Sequence, residues 1–459
     1  MSSATNAATT ANTSPESLRE LASTYLQALL KINTTNLPGN ERLAADYIAS
    51  IFDAEGIAYE IVDSAPSRAS IVGRIPATKA FGRPVLLMGH VDVVSVEPEK
   101  WERDPFGGEL IDDYIWGRGA LDMKGQVAAE MAAFVLLKRA NLPLNRDLIF
   151  AAFADEEAGG KFGADYVWKN RPDLLDAEFA INEGGGSLLE IDGARFYLCQ
   201  AGEKGSSRLR IVARATPGHA SVPLDDTAMK RIGEALVALH AWQPKTILTA
   251  PVRMMLESIA AGGVSENVRA QVEAILQAEA PTWEDLQKIP FTKIDSLMIR
   301  ATTRNTAVPT MIHGGQLINV IPSEIVLDVD GRLLPGEHPE AFRDEVQAAV
   351  GDQVEVELIG RDSGTATDPA SAFFDAIKTT MAKLQPGIEV IPYLMSGGTD
   401  APLVPGVKVY GFCPMLPTDR VEEYDPLVHG HNERIHLDDL EIGAQFMYDL
   451  IVEFCIGKG

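Results

Sequence analysis

Cysteine is nearly absent: Cys199, Cys413 and Cys455 are the only three, and they stand far apart. An odd number without a Cys-x-x-Cys pair excludes a cysteine-bound zinc knuckle or a dithiol redox site, and it suits a reducing compartment, with the cytoplasm as the expected location. Positive charge is also short. The 40 basic residues face 65 acidic ones, a net charge of −25, so nucleic-acid phosphates and anionic membranes would be repelled and small molecules fit better as partners. No apolar run approaches the length of a membrane span. Residues 1–14, mostly Ser, Thr, Ala and Asn, lack a basic lead and an apolar centre, so they read as a disordered tail rather than a secretion signal. A covalent nucleophile is not in evidence either, since no Gly-x-Ser-x-Gly elbow occurs and each cysteine sits in an apolar context without a paired histidine. The glycines after Glu183 carry no Gly-Lys-Ser or Gly-Lys-Thr, which argues against a phosphate loop.

What is present is ample apolar material. With 459 residues and 46% hydrophobic content, the chain exceeds one ordinary core and should form two domains. Helical spacing recurs over residues 15–32 and 40–52. Short apolar runs at 84–89, 147–154 and 177–182 read as buried strands, and the alanine-rich stretch 124–140 between the first two reads as a helix. Strand and helix alternating in this way predict an α/β fold with a mostly parallel sheet covered by helices on both faces. Ligands of such sheets collect at the carboxyl ends of the strands, where this chain carries His90, Asp155 to Glu157, and Glu183. After Gly205 the pattern changes. Alternating strands at 207–215, 324–334 and 354–359, with helices at 229–240 and 339–350, predict a small α+β, ferredoxin-like domain of helices on one sheet. The expected division is a catalytic domain of 15–205 and 367–459 around a lid or dimerisation domain of 206–366. The stretch 240–308 is an insertion that shapes the pocket or covers a dimer edge.

Four short runs carry chemistry. Gly89-His90-Val91-Asp92 sets an imidazole two residues before a carboxylate, so Asp92 can hold the ring nitrogen that does not face a metal. Asp122 stands in a glycine-rich turn opening the helix at 124, Asp155-Glu156-Glu157 puts three acids directly after a strand, and Glu183 follows another. Taken singly, each has a structural explanation: a core His-x-Asp, a helix cap, a solvated loop, a plain turn. Together they form an oxygen- and nitrogen-rich set of the kind zinc prefers, and packed like charges are costly unless a cation sits among them.

At this point the sequence resembles the zinc peptidase superfamily of aminoacylase, acetylornithine deacetylase, succinyl-diaminopimelate desuccinylase, carnosinase and bacterial glutamate carboxypeptidase. The resemblance runs from about Leu21 to Ile456. It rests on the four runs above and on Pro217-Gly218-His219-Ala220-Ser221, Asn319-Val320-Ile321-Pro322 and His429-Gly430-His431-Asn432-Glu433. It implies two zinc ions per subunit, with cobalt or manganese as substitutes: Asp122 bridging, His90 and Glu183 on one ion, Glu157 and His429 on the other. His429 is preferred to His431 because the family's ligand stands three residues before the Asn of this motif, here Asn432. Glu156 would be the general base acting on a metal-bridged hydroxide, with Asp155 behind the ligands. His219 and Asn319 would stabilise the oxyanion, His219 reaching across a homodimer. Arg332 would bind the substrate carboxylate with the backbone of Gly397, Gly398 and Thr399. The Asp122–Met123 peptide is expected to be cis. The implied activity is hydrolysis of an amide or peptide bond next to a free carboxylate, in an N-acyl amino acid or short peptide. The alternative is a zinc-containing binding or regulatory protein on the same fold without catalysis.

Overall fold

The computed structural model describes residues 17–456 other than Asp419, so the expected tail at 1–14 lies outside the described residues. The first helix, Leu18–Leu30, begins where Ser17 and Glu20 exchange side-chain and backbone hydrogen bonds, the reciprocal cap that marks a helix start. The helices expected at 40–52 and 124–140 appear as Glu41–Glu55 and Lys124–Ala140.

A ten-stranded sheet organises the larger part of the chain. At its centre Val85–His90 pairs in parallel with Leu148–Phe153 on one side and Phe179–Asn182 on the other, and Lys408–Gly411 continues the parallel set beside Phe179–Asn182. One margin is the antiparallel hairpin Ala58–Ala65 with Arg68–Ile75; at the other, the long strand Ala194–Glu203 pairs antiparallel with Leu188–Ile191 and in parallel with Glu389–Met395. These marginal strands, together with Glu389–Met395, carry no run that sequence reading singled out. Successive residues of the central strands face opposite ways. Leu87 and Phe150 enter one core with the helices 18–30, 41–55, 124–140, Ala372–Leu384 and Leu437–Cys455. Leu86 and Ile149 enter another under the helix Ala164–Asn170. Cover on both faces explains why the strand sequence Leu148–Phe153 is apolar throughout.

The second sheet has five strands. Glu324–Leu333 lies between Leu209–Arg214 and the edge strand Thr306–Gly314, while Glu355–Leu358 closes the other side. Its residues alternate between buried and more exposed, and the helices Ala228–Ala241 and Pro339–Val350 cover the buried face through Ile232, Leu239, Phe342 and Val346. The insertion behaves differently from its place in the sequence. Its helices Ala250–Ala261 and Glu266–Gln277 pack Val252, Leu256 and Ile259 not on the small sheet but against Leu189, Phe196, Leu198 and Ile391 of the large one. Those strands present an apolar outer face that needs cover, and the insertion supplies it. Among the described residues no helix is long and apolar enough to cross a membrane.

Candidate metal centre

Parallel strands put their carboxyl ends on one side, and the chain sets a candidate ligand at each. His90 is the last residue of its strand, Asp155 to Glu157 follow Phe153, and Glu183 follows Asn182. Gly184 makes the tight turn after Glu183 with φ +101°, and a Cβ there would collide with the Gln200 side chain.

The His90 ring is oriented from both ends. Its Nδ1 lies 3.0 Å from the Asp92 carbonyl oxygen and 3.5 Å from the Asp92 carboxylate. Its Nε2 faces Asp122 at 3.1 Å, Glu183 at 3.7 Å and Glu156 at 3.8 Å. Asp92 has a second task, accepting the backbone N–H groups of Glu156 at 3.0 Å and Glu157 at 3.2 Å and the Asn36 amide at 2.8 Å. Burial pushes its carboxyl up, but His90, Asn36 and these N–H groups hold it below the usual value. Asp155 turns away from the cluster, to Arg68 at 2.8 Å and the Phe162 N–H at 2.8 Å.

On the far side of Asp122, His429 Nε2 lies 3.0 Å from its second oxygen and 3.2 Å from Glu157. His431 is not in this cluster; its Nε2 is 3.5 Å from Glu97. Two triads result, His90–Asp122–Glu183 and Asp122–Glu157–His429, each with ligand atoms within 4.8 Å of one another and Asp122 in both. The Asp122–Met123 peptide is cis.

The electrostatics show what the protein alone cannot neutralise. Burial pushes Glu156 up to about 7, with Glu157 and Asp122 adding to the rise against His90. Burial also drives Glu183 well above its ordinary value. Burial opposes ionisation of Asp122 too, yet the two imidazoles hold it far below the usual range, and Asp122 and Glu157 in turn raise His429 to about 10. Carboxylates crowded around two imidazoles lack positive charge, and two divalent cations on this oxygen and nitrogen donor set would supply it. The residues present fit such ions.

A cavity of about 490 Å³ adjoins Asp122, Glu156, Glu157, Glu183 and His429, with apolar walls at Leu121, Met415, Val428 and Leu440. The small-sheet candidates do not line it. His219 is exposed on the two-residue strand Gly218–His219, with Ser221 N–H 3.1 Å from its Nδ1. Asn319 stands beside it, its carbonyl accepting the Ala220 N–H at 3.0 Å. Arg332 pairs with Asp330 at 3.1 Å. Gly398 does reach the cavity. Thr399 cannot serve a substrate carboxylate as expected, because its N–H at 3.2 Å and its hydroxyl at 2.7 Å are both directed to buried Glu203. Gly397 and Gly398 are the donors left at this turn.

Sequence reading assigned no task to Glu433, though it stood in the His429 motif, nor to Arg118, Lys124 or Glu203. Lys124, fully buried, donates to the Leu29 and Ile32 carbonyls at 3.1 and 2.8 Å. Only partners distant in sequence reveal these roles.

Known hydrolases resemble this chain in sequence and in fold. The chain is 28% identical to Aminoacylase-1 of Sus scrofa, over 90% of each protein. It is 28% identical to the probable carboxypeptidase S-like 2 of Dictyostelium discoideum, over 80% of this chain and 71% of that one. An M20 family metallo-carboxypeptidase from Sulfolobus solfataricus shares the fold, with a TM-score of 0.68 at 20% identity over 94% of this chain and 98% of that one. The sequence pattern of peptidase family M20/M25/M40 matches residues 86–453, from the strand that ends in His90 to the final helix, and the chain belongs to that family.

Proposed function

We propose that this protein is a di-zinc hydrolase that cleaves the amide or peptide bond of an N-acyl amino acid or short peptide next to a free carboxylate. Its family makes it a metal-dependent hydrolase of amide or peptide bonds. One observation carries the finer reading: Asp122 is shared by two triads of ligand atoms, with Glu156 beside them and outside both. His90 and Glu183 would hold one zinc, Glu157 and His429 the other, and Asp122 both. Bound there, the ions supply Lewis acidity toward the scissile carbonyl and make a water acidic enough to attack near neutral pH.

Glu156 takes the proton from the attacking water and passes it to the leaving nitrogen. Its elevated affinity for a proton suits a group that must do both. Asp92 keeps the His90 ring in place and, through the N–H groups of Glu156 and Glu157, orients base and ligand together. His219 and Asn319 stabilise the oxyanion, and Arg332 with Gly397 and Gly398 receives the substrate carboxylate. This requires the strands and helices of the small sheet, within the lid of about 206–366, to close over the cavity while the insertion helices stay on the large sheet of a catalytic domain of 15–205 and 367–459. It also favours a homodimer: the edge strand Thr306–Gly314 exposes Val308, Met311 and Ile312, a surface a second copy would cover. Three free thiols suit the cytoplasm.

The test is hydrolysis of a panel of N-acyl amino acids and dipeptides by zinc-loaded protein, with their carboxamide counterparts as controls. Cleavage of the acids and not of the amides is expected. No cleavage of any member at full zinc occupancy, or equal rates with and without the carboxylate, overturns the reading.

A further inference from the structure

A second cavity, of about 330 Å³, lies between the end of the helix Ala228–Ala241, the last turn of Lys293–Thr302 and the start of the strand Thr306–Gly314. It shares no lining residue with the cavity beside Asp122. Its walls are apolar at Leu239, Trp242, Leu297 and Pro309, and Arg300 and Arg304 line it beside them. Arg304 is only 3% exposed, and its Nε is buried without a hydrogen-bond partner. Among the described residues no carboxylate pairs with either arginine.

The acceptors beside these arginines are already engaged. Lys204 donates to the carbonyls of Ala301 and Arg304 at 2.9 Å each and to the Thr306 hydroxyl at 3.0 Å, so it ties off the acceptors at this helix end and leaves the arginine donors alone. Glu337, which accepts from neighbouring Asn305 at 3.2 Å, is paired with Lys245 at 3.5 Å. The arginines instead lie over the Trp283 ring, with Cζ 5.3 Å from its centroid for Arg304 and 5.9 Å for Arg300. A guanidinium against an aromatic face keeps its in-plane N–H fork available. Burial and the nearby Arg300 charge hold Arg304 below its ordinary value, the response of a cation that lacks a counter-ion. In a chain of net charge −25, two adjacent unpaired arginines in a lined cavity are a local exception. A buried charge left unpaired is destabilising unless something completes it.

We propose that this cavity binds a small organic anion, a carboxylate or phosphate on an apolar body, with Arg304 and Arg300 holding the anionic group and Leu239, Trp242 and Leu297 the apolar part. The fork geometry of guanidinium matches both head groups, and the volume falls at the small end of the roughly 300–1,000 Å³ usual for ligand sites. The site is separate from the metal centre and stands whether or not the proposed substrate class is right.

The test is titration of the metal-loaded protein with cyclohexanecarboxylate, inorganic phosphate and uncharged cyclohexylmethanol, read by tryptophan fluorescence because Trp242 and Trp283 adjoin the site. Saturable binding of an anion is expected, on the order of tenfold tighter than the alcohol, and whichever of the two anions binds more tightly identifies the head group. Exposed Arg300→Glu, which should fold normally, and buried Arg304→Met should each weaken that binding on the order of tenfold or more. Absence of a saturable response in the parent, or parental affinity in Arg300→Glu, overturns the proposal. Because binding is read directly, failure to hydrolyse any amide substrate leaves this test unaffected.

Discussion

The carboxylate of Glu433 accepts the backbone N–H of Asp122 at 3.1 Å, across 311 positions of sequence. It also accepts the N–H groups of Leu121 at 2.7 Å and Gly119 at 3.0 Å, and pairs with buried Arg118 at 2.5 Å. One buried side chain thereby shapes the loop that presents the shared acid. The same segment is stitched to that loop by pairing of Arg434–His436 with Tyr114–Trp116. His429 lies four residues before Glu433, so the segment that shapes the Asp122 loop also carries the second imidazole.

Glu433→Gln should therefore weaken metal binding without touching a ligand. Groups that orient ligands typically matter by about 10–100-fold in affinity, and breaking a buried ion pair costs about 3–5 kcal/mol. Competition with a coloured chelator gives the affinity, and urea unfolding the stability. Parental values for both would show that the Glu433 contacts are incidental.

Glu156→Gln and Glu157→Gln should separate proton transfer from metal holding. The first keeps size and removes basicity, so kcat should fall by about 10²–10⁴-fold with metal content intact. The second should lose metal. Activity and elemental analysis of the two purified variants decide it, and the reverse pattern would exchange their roles.

Chelation should lower the melting temperature. Without cations the carboxylates of Asp122, Glu157 and Glu183 are opposed only by two imidazoles, whereas metal at a hundred times its Kd adds about 2.7 kcal/mol per site. Melting should recover on adding zinc back. A curve unchanged by complete removal of metal would show that the cluster is neutral enough to stand alone.

Glu203 gives a pH signature away from the metal ligands. Burial lifts its carboxyl from 4.5 to about 7, against hydrogen bonds from Thr399 and Gln200. An acid whose folded value exceeds its unfolded one keeps an extra proton in the native state. Its penalty is absent below the unfolded value, grows across this interval, and is complete above about 7, where it amounts to about 3 kcal/mol. Neighbouring Lys204, lowered by burial to about 7, carries a penalty that is complete below about 7 and fades above it, so the two together give the parent a minimum near 7. The difference between Glu203→Gln and parent isolates the acid: the variant should gain on the parent as pH rises from about 5 to 8. Urea midpoints at several pH values measure this, and a difference independent of pH would contradict it.

The proposed lid closure can be probed at His219, which is exposed on the two-residue strand Gly218–His219. His219→Ala should lower kcat by on the order of 10²-fold, the loss typical of an oxyanion donor, with folding and metal content unchanged. Steady-state kinetics beside metal analysis would show it, and a parental kcat would remove His219 from the mechanism.

Much of this protein was legible locally. The helices at 124–140 and 339–350 appear with the bounds that their apolar spacing indicates, because a helix face is a property of neighbouring residues. The marginal strands Ala58–Ala65 and Glu389–Met395 were not legible, since their pairing partners, rather than their own pattern, make them strands. His90, Asp122, Glu157, Glu183 and His429 could be named as candidates from their places beside strands and turns, and the cis bond after Asp122 came with the same motif.

By itself, then, the sequence determined the alternation of strand and helix, the acidic balance and the residues able to hold metal, all of them consequences of short-range order. Only the tertiary structure decided that Thr399 serves Glu203, that the insertion covers the large sheet, that Glu433 builds the Asp122 loop, and that buried Arg304 has no counter-ion among the described residues. Each of these is a contact, or a missing contact, between segments separated by tens to hundreds of residues. Hydrogen bonding and burial are set by which groups meet in space, and periodicity along a chain carries no record of that.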